Sequence, residues 1–433
     1  MSFLVLLALL IGFLYLGMPM FAGMLLFAAG VLWWEEGGIG TLGEFVFNHI
    51  NAPLLVAIPL FMLMAHFMVR GRVVDDLYGA AHTFLRHLPG GLGVATVAAC
   101  AIFAAVSGSS VATALTIGAV ALPQMLKLGY DPRGAYGVVA AGGTLGILIP
   151  PSSPMILYGV VSDTSIGALF MAGVFPGILL AAIFALWCMW TEWRREKRIG
   201  TAALRPKRAS AREMGAALKR SFWALTLPPF VLGGIYFGIF TATEAAGIGA
   251  LWAAIVAMAI YRQFGWRDLW GGAKDTARTT AMLFMIIIGA GLFGHMLTKL
   301  RIPDELVKLV IDYGLGRVAF VGAMMIIIFI LGLILESISI ILITTPVILP
   351  VLKHLGIDPV WYGVLLTINL ELALISPPVG LNLIVIKTIA KVPLYEVDRA
   401  AVPYILLMFL GMGIIIVFPA IALWLPGTMA LGR

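Results

Sequence analysis

Long apolar runs separated by short polar connections extend along nearly the whole chain. An α-helix needs about 20 predominantly apolar residues to cross a bilayer, and most of these runs approach that length. The pattern therefore predicts an all-α polytopic membrane protein. The predicted helices cover 3–17, 19–34, 52–69, 133–160 and 168–190 in the first part of the chain, and 222–240, 246–262, 277–298, 359–389 and 401–425 in the second.

Two further apolar regions, 93–127 and 317–353, have polar or small residues near their middle, such as AVSGSSVATALTIG in the first. Irregular backbone at membrane depth is tolerated only where it is buried in protein or lines a cavity. We therefore predict that both regions are re-entrant helical hairpins. Each follows an amphipathic segment, 72–91 or 301–316, which is typical of an interfacial helix and also compatible with a surface connector.

Composition and charge agree with a membrane location. Of the 433 residues, 61% are hydrophobic and 11% are charged, which excludes an ordinary soluble domain. The formal charge of +7 does not indicate nucleic-acid binding, because ten of the 28 Lys and Arg residues fall within 193–220 without interleaved aromatic residues. Such clustering marks a cytoplasmic loop. With this basic loop in the cytoplasm, counting the spans places both termini in the periplasm.

The two sides of the basic loop share a pattern at a constant separation of 227 residues. Pro123 matches Pro350 at this separation, and the segments LPQMLKLGYDP and LPVLKHLGIDP align around them without a gap. The same offset relates the two Pro-Pro pairs, which begin at Pro150 and Pro377. We therefore predict two repeats, 1–192 and 221–433, and the charge pattern makes their topologies inverted.

Each Pro-Pro pair interrupts a predicted membrane helix, in GGTLGILIPPSSPMILYG and in ELALISPPVGLNLIVIK. Proline inside a helix removes a donor and clashes with the preceding turn, at a cost of about 3 kcal/mol. Broken helices at corresponding positions of inverted repeats mark a midplane binding site in secondary transporters. The two breaks and the two hairpin tips therefore predict a binding site.

The chemistry of the tips favours a hard cation, because hydroxyl and carbonyl oxygens are its preferred ligands. Close helix packing of the same small residues is the alternative. The predicted sodium-binding residues are Ser107, Gly108, Ser109, Ser110, Thr144, Gly146 and Pro150 at the first tip and break, and Glu336, Ser337, Ser339, Ser376, Pro377, Gly380 and Asn382 at the second. Ser107, Ser152 and Ser153 are the predicted substrate contacts, the last two because they begin a half-helix.

Two acidic residues lie within membrane segments, Glu336 at the second tip and Glu371 one turn before the second break. Either carboxylate could ligate a cation, carry a coupled proton or hydrogen-bond the hairpin. Cys100 and Cys188 lie in apolar runs and are expected to pack in the core. No arrangement of acid, base and nucleophile indicates an enzyme.

The motifs GSSVATALTIG, PQMLKLGY, GTLGILIPPSSPMILYG and SPPVGLNLIVIK resemble signatures of the large, DctM-like membrane subunit of tripartite ATP-independent periplasmic (TRAP) transporters, within the ion transporter superfamily. The resemblance covers nearly the whole chain. It implies an elevator-type importer of an organic acid in a bacterial inner membrane, with Na⁺ as the coupling ion and no other cofactor. A scaffold would hold a transport domain of two hairpins and two broken helices.

The resemblance also implies two protein partners. These are a separate small four-helix DctQ-like membrane subunit and a periplasmic DctP-like binding protein that delivers the substrate. A stand-alone carboxylate or ion carrier of the same superfamily is the nearest alternative, and it would transport without a binding protein. A channel or a structural membrane scaffold is a different class, and a channel would conduct without saturation.

Overall fold

The structure, a computed structural model, describes residues 12, 17–36, 42–71, 73–199, 206–262 and 264–429. All the regular secondary structure in these ranges is helical. Eight helical segments are long and apolar enough to cross a membrane, which confirms the prediction of an all-α membrane protein. The predicted helix 3–17 falls outside the described ranges except for Gly12 and Gly17.

The helices follow one another with short connections. Those before the basic region are Met20–Glu36, Leu42–Ile50, Ala57–Arg70, Val73–Leu85, Gly91–Ser107, Ser110–Lys127, Pro132–Leu148, Ser153–Ser162 and Ile166–Ile199. Those after it are Ala211–Tyr236, Ala242–Ile255, Trp266–Lys299, Ile302–Asp312, Arg317–Gly332, Ser337–His354, Pro359–Leu374, Leu381–Ala390, Leu394–Val417 and Ala420–Gly427. A 3₁₀ turn, Pro53–Val56, and a π-helical turn, Val256–Ile260, extend two of them.

The predicted loop over 193–220 is wrong for most of its length, because helices extend into it from both sides. Lys, Arg and Glu are good helix formers, so a run of charges does not by itself end a helix. Lys197 lies 3.9 Å from the centre of the Trp193 ring, which supports the last turns of the first helix. The connection between the helices is 200–210, of which 206–210 are described.

Two other elements differ from the prediction. The helix Leu42–Ile50 was not predicted, because its nine residues include polar side chains and are too few to cross a bilayer. The predicted helix 401–425 is two helices, with Phe418 and Pro419 between them. Proline cannot donate the backbone hydrogen bond that would continue the first of these helices.

A capping box begins the helix Ala211–Tyr236. The Ser210 hydroxyl accepts a hydrogen bond from the Glu213 N–H at 3.2 Å, and the Glu213 carboxylate accepts one from the Ser210 N–H at 2.8 Å. The same carboxylate pairs with Arg86 at 3.0 Å. This start of the helix is therefore fixed to the end of the amphipathic segment before the first hairpin.

We expect Ser210→Ala to increase protease cleavage in the connection before this helix. Loss of an N-cap costs about 1 kcal/mol, so cleavage through local opening should be about fivefold faster. Ser210→Asp keeps a capping oxygen and should be cleaved at the wild-type rate. The measurement is limited proteolysis of the purified protein, and equal rates for the alanine and aspartate variants would contradict the role of the cap.

Helix boundaries recur at the separation of 227 residues. Helices begin at Ser110 and Ser337, and at Pro132 and Pro359. The aspartate before each of these prolines caps its helix, since Asp131 accepts from the Gly134 N–H at 2.8 Å and Asp358 accepts from the Val360 N–H at 2.7 Å. The shared sequence pattern is thus accompanied by shared local structure.

Four elements carry the site. The first hairpin consists of Gly91–Ser107 and Ser110–Lys127, and the second consists of Arg317–Gly332 and Ser337–His354. The first broken helix consists of Pro132–Leu148 and Ser153–Ser162, with the first break at 149–152 between them. The second consists of Pro359–Leu374 and Leu381–Ala390, with the second break at 375–380.

The helix after each break packs against the hairpin from the other side of the basic region. Ser153–Ser162 packs on Ser337–His354, and Leu381–Ala390 packs on Ser110–Lys127. Tyr158 adds a hydrogen bond from its hydroxyl to the Pro359 carbonyl at 2.8 Å. The two hairpins and the two broken helices are consequently interleaved in one packed group.

Candidate functional site

The tip of the first hairpin is a tight turn, with only Gly108 and Ser109 between its two helices. Gly108 has φ of +59°, a left-handed conformation that glycine adopts without steric cost. The Ser107 hydroxyl lies 2.7 Å from that of Thr113, and the Thr113 hydroxyl donates to the Ser109 carbonyl at 2.8 Å. The tip is therefore held together by its own hydroxyl groups.

The first break lies directly against this tip. A Cβ atom added to Gly108 would be 2.6 Å from the Pro151 carbonyl oxygen, and one added to Gly146 would contact the Ser109 carbonyl. Only glycine at both positions allows the backbones to approach this closely. The Ser152 hydroxyl, buried behind the break, caps the next helix by accepting from the Met155 N–H at 3.5 Å.

The second tip and break have a related arrangement with one carboxylate added. Glu336 ends the tip and makes no side-chain cap hydrogen bond. A Cβ atom added to Gly332 would lie 2.6 Å from Ala373 Cβ, which places the tip beside the helix that enters the second break. In this break the Ser376 hydroxyl donates to the Leu372 carbonyl at 2.7 Å, and Gly380 has φ of +45°.

A cavity of about 200 Å³ lies between the two tips. It is lined by Met62, Gly108, Ser109, Ser110, Val111, Ile147, Ser153, Pro154, Thr279, Met282, Leu283, Glu336, Ser337, Ile338, Leu374 and Leu381. None of these is Lys, Arg or His, and Glu336 is the one charged residue among them. The cavity therefore offers hydroxyl groups, backbone groups and one carboxylate to a ligand.

The predicted site residues form two groups, those that line this cavity and those that do not. Those that line it are Gly108, Ser109, Ser110, Ser153, Glu336 and Ser337. Those that do not line it are Ser107, Thr144, Gly146, Pro150, Ser152, Ser339, Ser376, Pro377, Gly380 and Asn382. Of the three predicted substrate contacts, the structure thus places only Ser153 on the cavity wall.

Sequence reasoning missed the opposite wall of the cavity. Met62 belongs to the helix Ala57–Arg70, while Thr279, Met282 and Leu283 belong to Trp266–Lys299. These are ordinary residues of membrane helices, so no local signal distinguishes them. The wall they form is mainly apolar.

A buried hydrogen-bonded cluster connects the first tip to the second broken helix. The Ser110 hydroxyl donates to Glu371 Oε2 at 2.8 Å, and Asn382 Nδ2 donates to the same hydroxyl at 2.8 Å. The sequence pattern predicts Asn382 at the second tip and break, but the structure brings it to the first tip. The contact joins residues far apart in sequence, so the repeat pattern alone could not reveal it.

Several buried oxygen atoms near the tips have no hydrogen-bond partner. These are Ser339 Oγ, Glu371 Oε1 and Asn382 Oδ1. Buried polar atoms are normally paired, and oxygen ligands of this kind suit a hard cation. The described residues include no group of three or more His, Cys, Asp and Glu side chains that could hold a metal ion, so the candidate ligands here are single hydroxyl, amide and carboxylate oxygens. The available donors therefore fit Na⁺.

Comparisons with known proteins agree on one kind of molecule. The family model for the tripartite ATP-independent periplasmic transporter, DctM component, matches residues 6–421. The C4-dicarboxylate TRAP transporter large permease protein DctM of Pseudomonas aeruginosa is 37% identical over 404 residues, which cover 93% of each chain. The ectoine TRAP transporter large permease protein TeaC of Halomonas elongata is 33% identical over 97% of this chain and 98% of its own.

A solved structure shares the fold. The YdaH transporter of Alcanivorax borkumensis superposes with a TM-score of 0.67 over 91% of this chain and 89% of its own, at 15% sequence identity.

Proposed function

The chain belongs to the DctM component family of tripartite ATP-independent periplasmic transporters, and from this premise we propose that it is the membrane-crossing subunit of a Na⁺-coupled importer of organic acids. The observation that carries the proposal is the cavity between two hairpin tips, each of which adjoins a broken helix. Family membership also argues against an enzyme, because the curated relatives are permeases.

Two sodium sites are proposed at the tips and breaks. Ser107 to Ser110, with Thr144, Gly146 and Pro150, would hold an ion at the first, and Asn382 now joins this set through Ser110. Glu336, Ser337 and Ser339, with Ser376, Pro377 and Gly380, would hold an ion at the second. Buried oxygens without partners, such as Ser339 Oγ, support this assignment. Bound Na⁺ would supply positive charge beside a cavity that has no basic side chain.

The substrate is proposed to be a carboxylate, such as a C4-dicarboxylate or sialic acid. Ser153 lies on the cavity wall at the start of a half-helix, where the positive end of the helix dipole and the Ser153 N–H favour an anion. Ser109 and Ser110 line the same cavity. A carboxylate would therefore be held by the Ser153 hydroxyl and N–H and by the nearby sodium ions, without an arginine clamp.

Movement is proposed to follow an elevator mechanism built on two inverted repeats. The recurrence of helix boundaries at 227 residues and the interleaving of the hairpins with the broken helices support a single transport unit. The wall formed by Met62, Met282 and Leu283 belongs to other helices and is apolar. Because this wall offers few polar groups, the transport unit would break few buried hydrogen bonds as it moves along it.

We further propose the tripartite arrangement of the family. A small DctQ-like membrane subunit would pack beside this chain, and a periplasmic DctP-like protein would deliver the acid. The complex would lie in the bacterial inner membrane, with the basic region 193–220 in the cytoplasm and the termini in the periplasm. The abundance of Lys and Arg in that region supports this orientation.

The test is uptake of radiolabelled organic acids into liposomes that contain this chain with its small subunit. We expect uptake to require both an inward Na⁺ gradient and the cognate binding protein. Moving one elementary charge across 100 mV is worth about 2.3 kcal/mol, so two Na⁺ ions with a dianion would be insensitive to voltage and a third would make uptake voltage-driven. Indifference to Na⁺ would contradict the sodium sites.

A stand-alone carrier of the same superfamily is the second candidate. The fold shared with the YdaH transporter at 15% identity fits this candidate as well as the tripartite one. Na⁺-dependent uptake that persists without any binding protein would establish this reading in place of the tripartite one.

A further inference from the structure

Ser110, Glu371 and Asn382 form a buried polar cluster. Each of the three residues is at most 1% exposed. The three residues come from three different helices. Ser110 begins the second helix of the first hairpin, Glu371 lies before the second break, and Asn382 lies after it. The cluster therefore joins the first tip to both sides of the second break.

The hydrogen bonds fix the orientation of the Ser110 hydroxyl. A serine hydroxyl has one proton to donate and two lone pairs that accept. Its proton is directed to Glu371 at 2.8 Å, and one lone pair accepts from Asn382 at 2.8 Å. One lone pair remains free. The hydrogen bond to Glu371 thus fixes the direction in which the Ser110 hydroxyl can offer its remaining lone pair to an ion.

The carboxylate has a substantial energetic cost at this position. A buried carboxyl group is unfavourable unless its hydrogen bonds and charge are compensated, and no ion pair with Glu371 is formed among the described residues. An apolar side chain would fill the same space without this cost. The free energy that offsets this cost must come from the interactions of Glu371 with its neighbours.

We infer that Glu371 is a positioning residue that couples the two proposed sodium sites through Ser110 and Asn382. This inference rests on the proposed function. An ion at the first tip would order Ser109 and Ser110, and the cluster would then hold the helix ends beside the second break. The second ion would meet a preformed site, and by linkage the effect is reciprocal. Binding of Na⁺ is therefore cooperative.

The experiment is Na⁺-dependent thermal stabilisation of the purified full-length chain in complex with its small subunit, with choline replacing Na⁺ at constant ionic strength. The wild-type protein should give a Hill coefficient clearly above 1. Glu371→Met removes the hydrogen-bond acceptor and keeps a similar side-chain length. It should lower the Hill coefficient to about 1 and raise the half-saturating Na⁺ concentration about tenfold, which is within the usual range of coupling.

Glu371→Gln is the matched control, because it also lacks the charge but keeps an oxygen that accepts from Ser110. We expect it to retain the wild-type Hill coefficient. If Glu371→Gln behaves like Glu371→Met, the charge rather than the hydrogen bond is required, and the positioning role is overturned. If Glu371→Met does not fold, Ser110→Ala removes the same hydrogen bond with little change of volume and should show the same loss of cooperativity.

The possible results distinguish a failure of the proposed function from a failure of the coupling role of Glu371. A wild-type protein that Na⁺ does not stabilise would overturn the proposed function and this inference together. A wild-type protein that binds Na⁺ cooperatively, with unchanged cooperativity in Glu371→Met, would overturn only the inference.

Discussion

Gly108→Ala should reduce Na⁺-driven uptake by about 100-fold, which corresponds to roughly 2.7 kcal/mol in an activation barrier. The left-handed backbone at this position costs a residue with a Cβ atom about 1–2 kcal/mol. The added Cβ would also lie 2.6 Å from the Pro151 carbonyl oxygen. Because that oxygen belongs to the backbone of the first break, relief requires the tip and the break to separate. The measurement is initial uptake per reconstituted complex.

Gly129→Ala is the matched control for backbone strain. Gly129 has φ of +75°, and a Cβ atom there would have no neighbour within 4 Å. This variant should therefore retain most of the wild-type uptake. Gly108→Asn tests the clash separately, because asparagine tolerates the left-handed conformation but carries the same Cβ. Uptake by Gly108→Ala equal to that by Gly129→Ala would show that close contact of tip and break is not needed.

Ser153→Trp should abolish uptake while leaving Na⁺ stabilisation nearly unchanged. Ser153 lies on the wall of the cavity of about 200 Å³, and an indole ring placed there would occupy the space proposed for the substrate. The sodium sites lie at the tips and breaks, so thermal stabilisation by Na⁺ should remain within about twofold of the wild-type concentration dependence. The two measurements together separate substrate binding from ion binding.

Two variants control for this substitution. Ser153→Ala removes only the hydroxyl, and loss of a hydrogen bond of about 1 kcal/mol should raise the half-saturating substrate concentration about fivefold without abolishing uptake. Leu406→Trp places an indole on a residue that is 64% exposed, and should transport normally. Substantial uptake by Ser153→Trp would place the substrate elsewhere.

Local chemistry explains why much of the fold could be predicted from the sequence. The Pro-Pro pairs remove backbone donors, so the breaks at 149–152 and 375–380 follow from the prolines alone. The turn at Gly108 follows from glycine between polar residues. The loop predicted over the basic region is wrong because the positive-inside rule reports which side of the membrane a segment occupies. The rule says nothing about whether that segment is helical.

The partners across the site could not be predicted, because they depend on contacts between distant parts of the chain. The repeat pattern pairs each tip with its own break, and contacts of Gly108 with Pro151 agree with that pairing. The contacts of Ser110 with Glu371 and Asn382 cross between the two parts. Glu371 has Thr144 at the matching position of the other repeat, so the repeat offers no second example from which its role could be read.

The helix after each break packs against the hairpin from the other side of the basic region, and this arrangement has a consequence for biosynthesis. Ser153–Ser162 leaves the ribosome long before Ser337–His354, the helix against which it packs. Domains generally fold in the order of their synthesis, but Ser153–Ser162 packs only on N-terminal helices such as Ile166–Ile199 until its main partner, Ser337–His354, has been inserted. The nascent protein must therefore keep this short apolar helix only partly packed in the membrane, and assembly is completed only when translation is nearly finished.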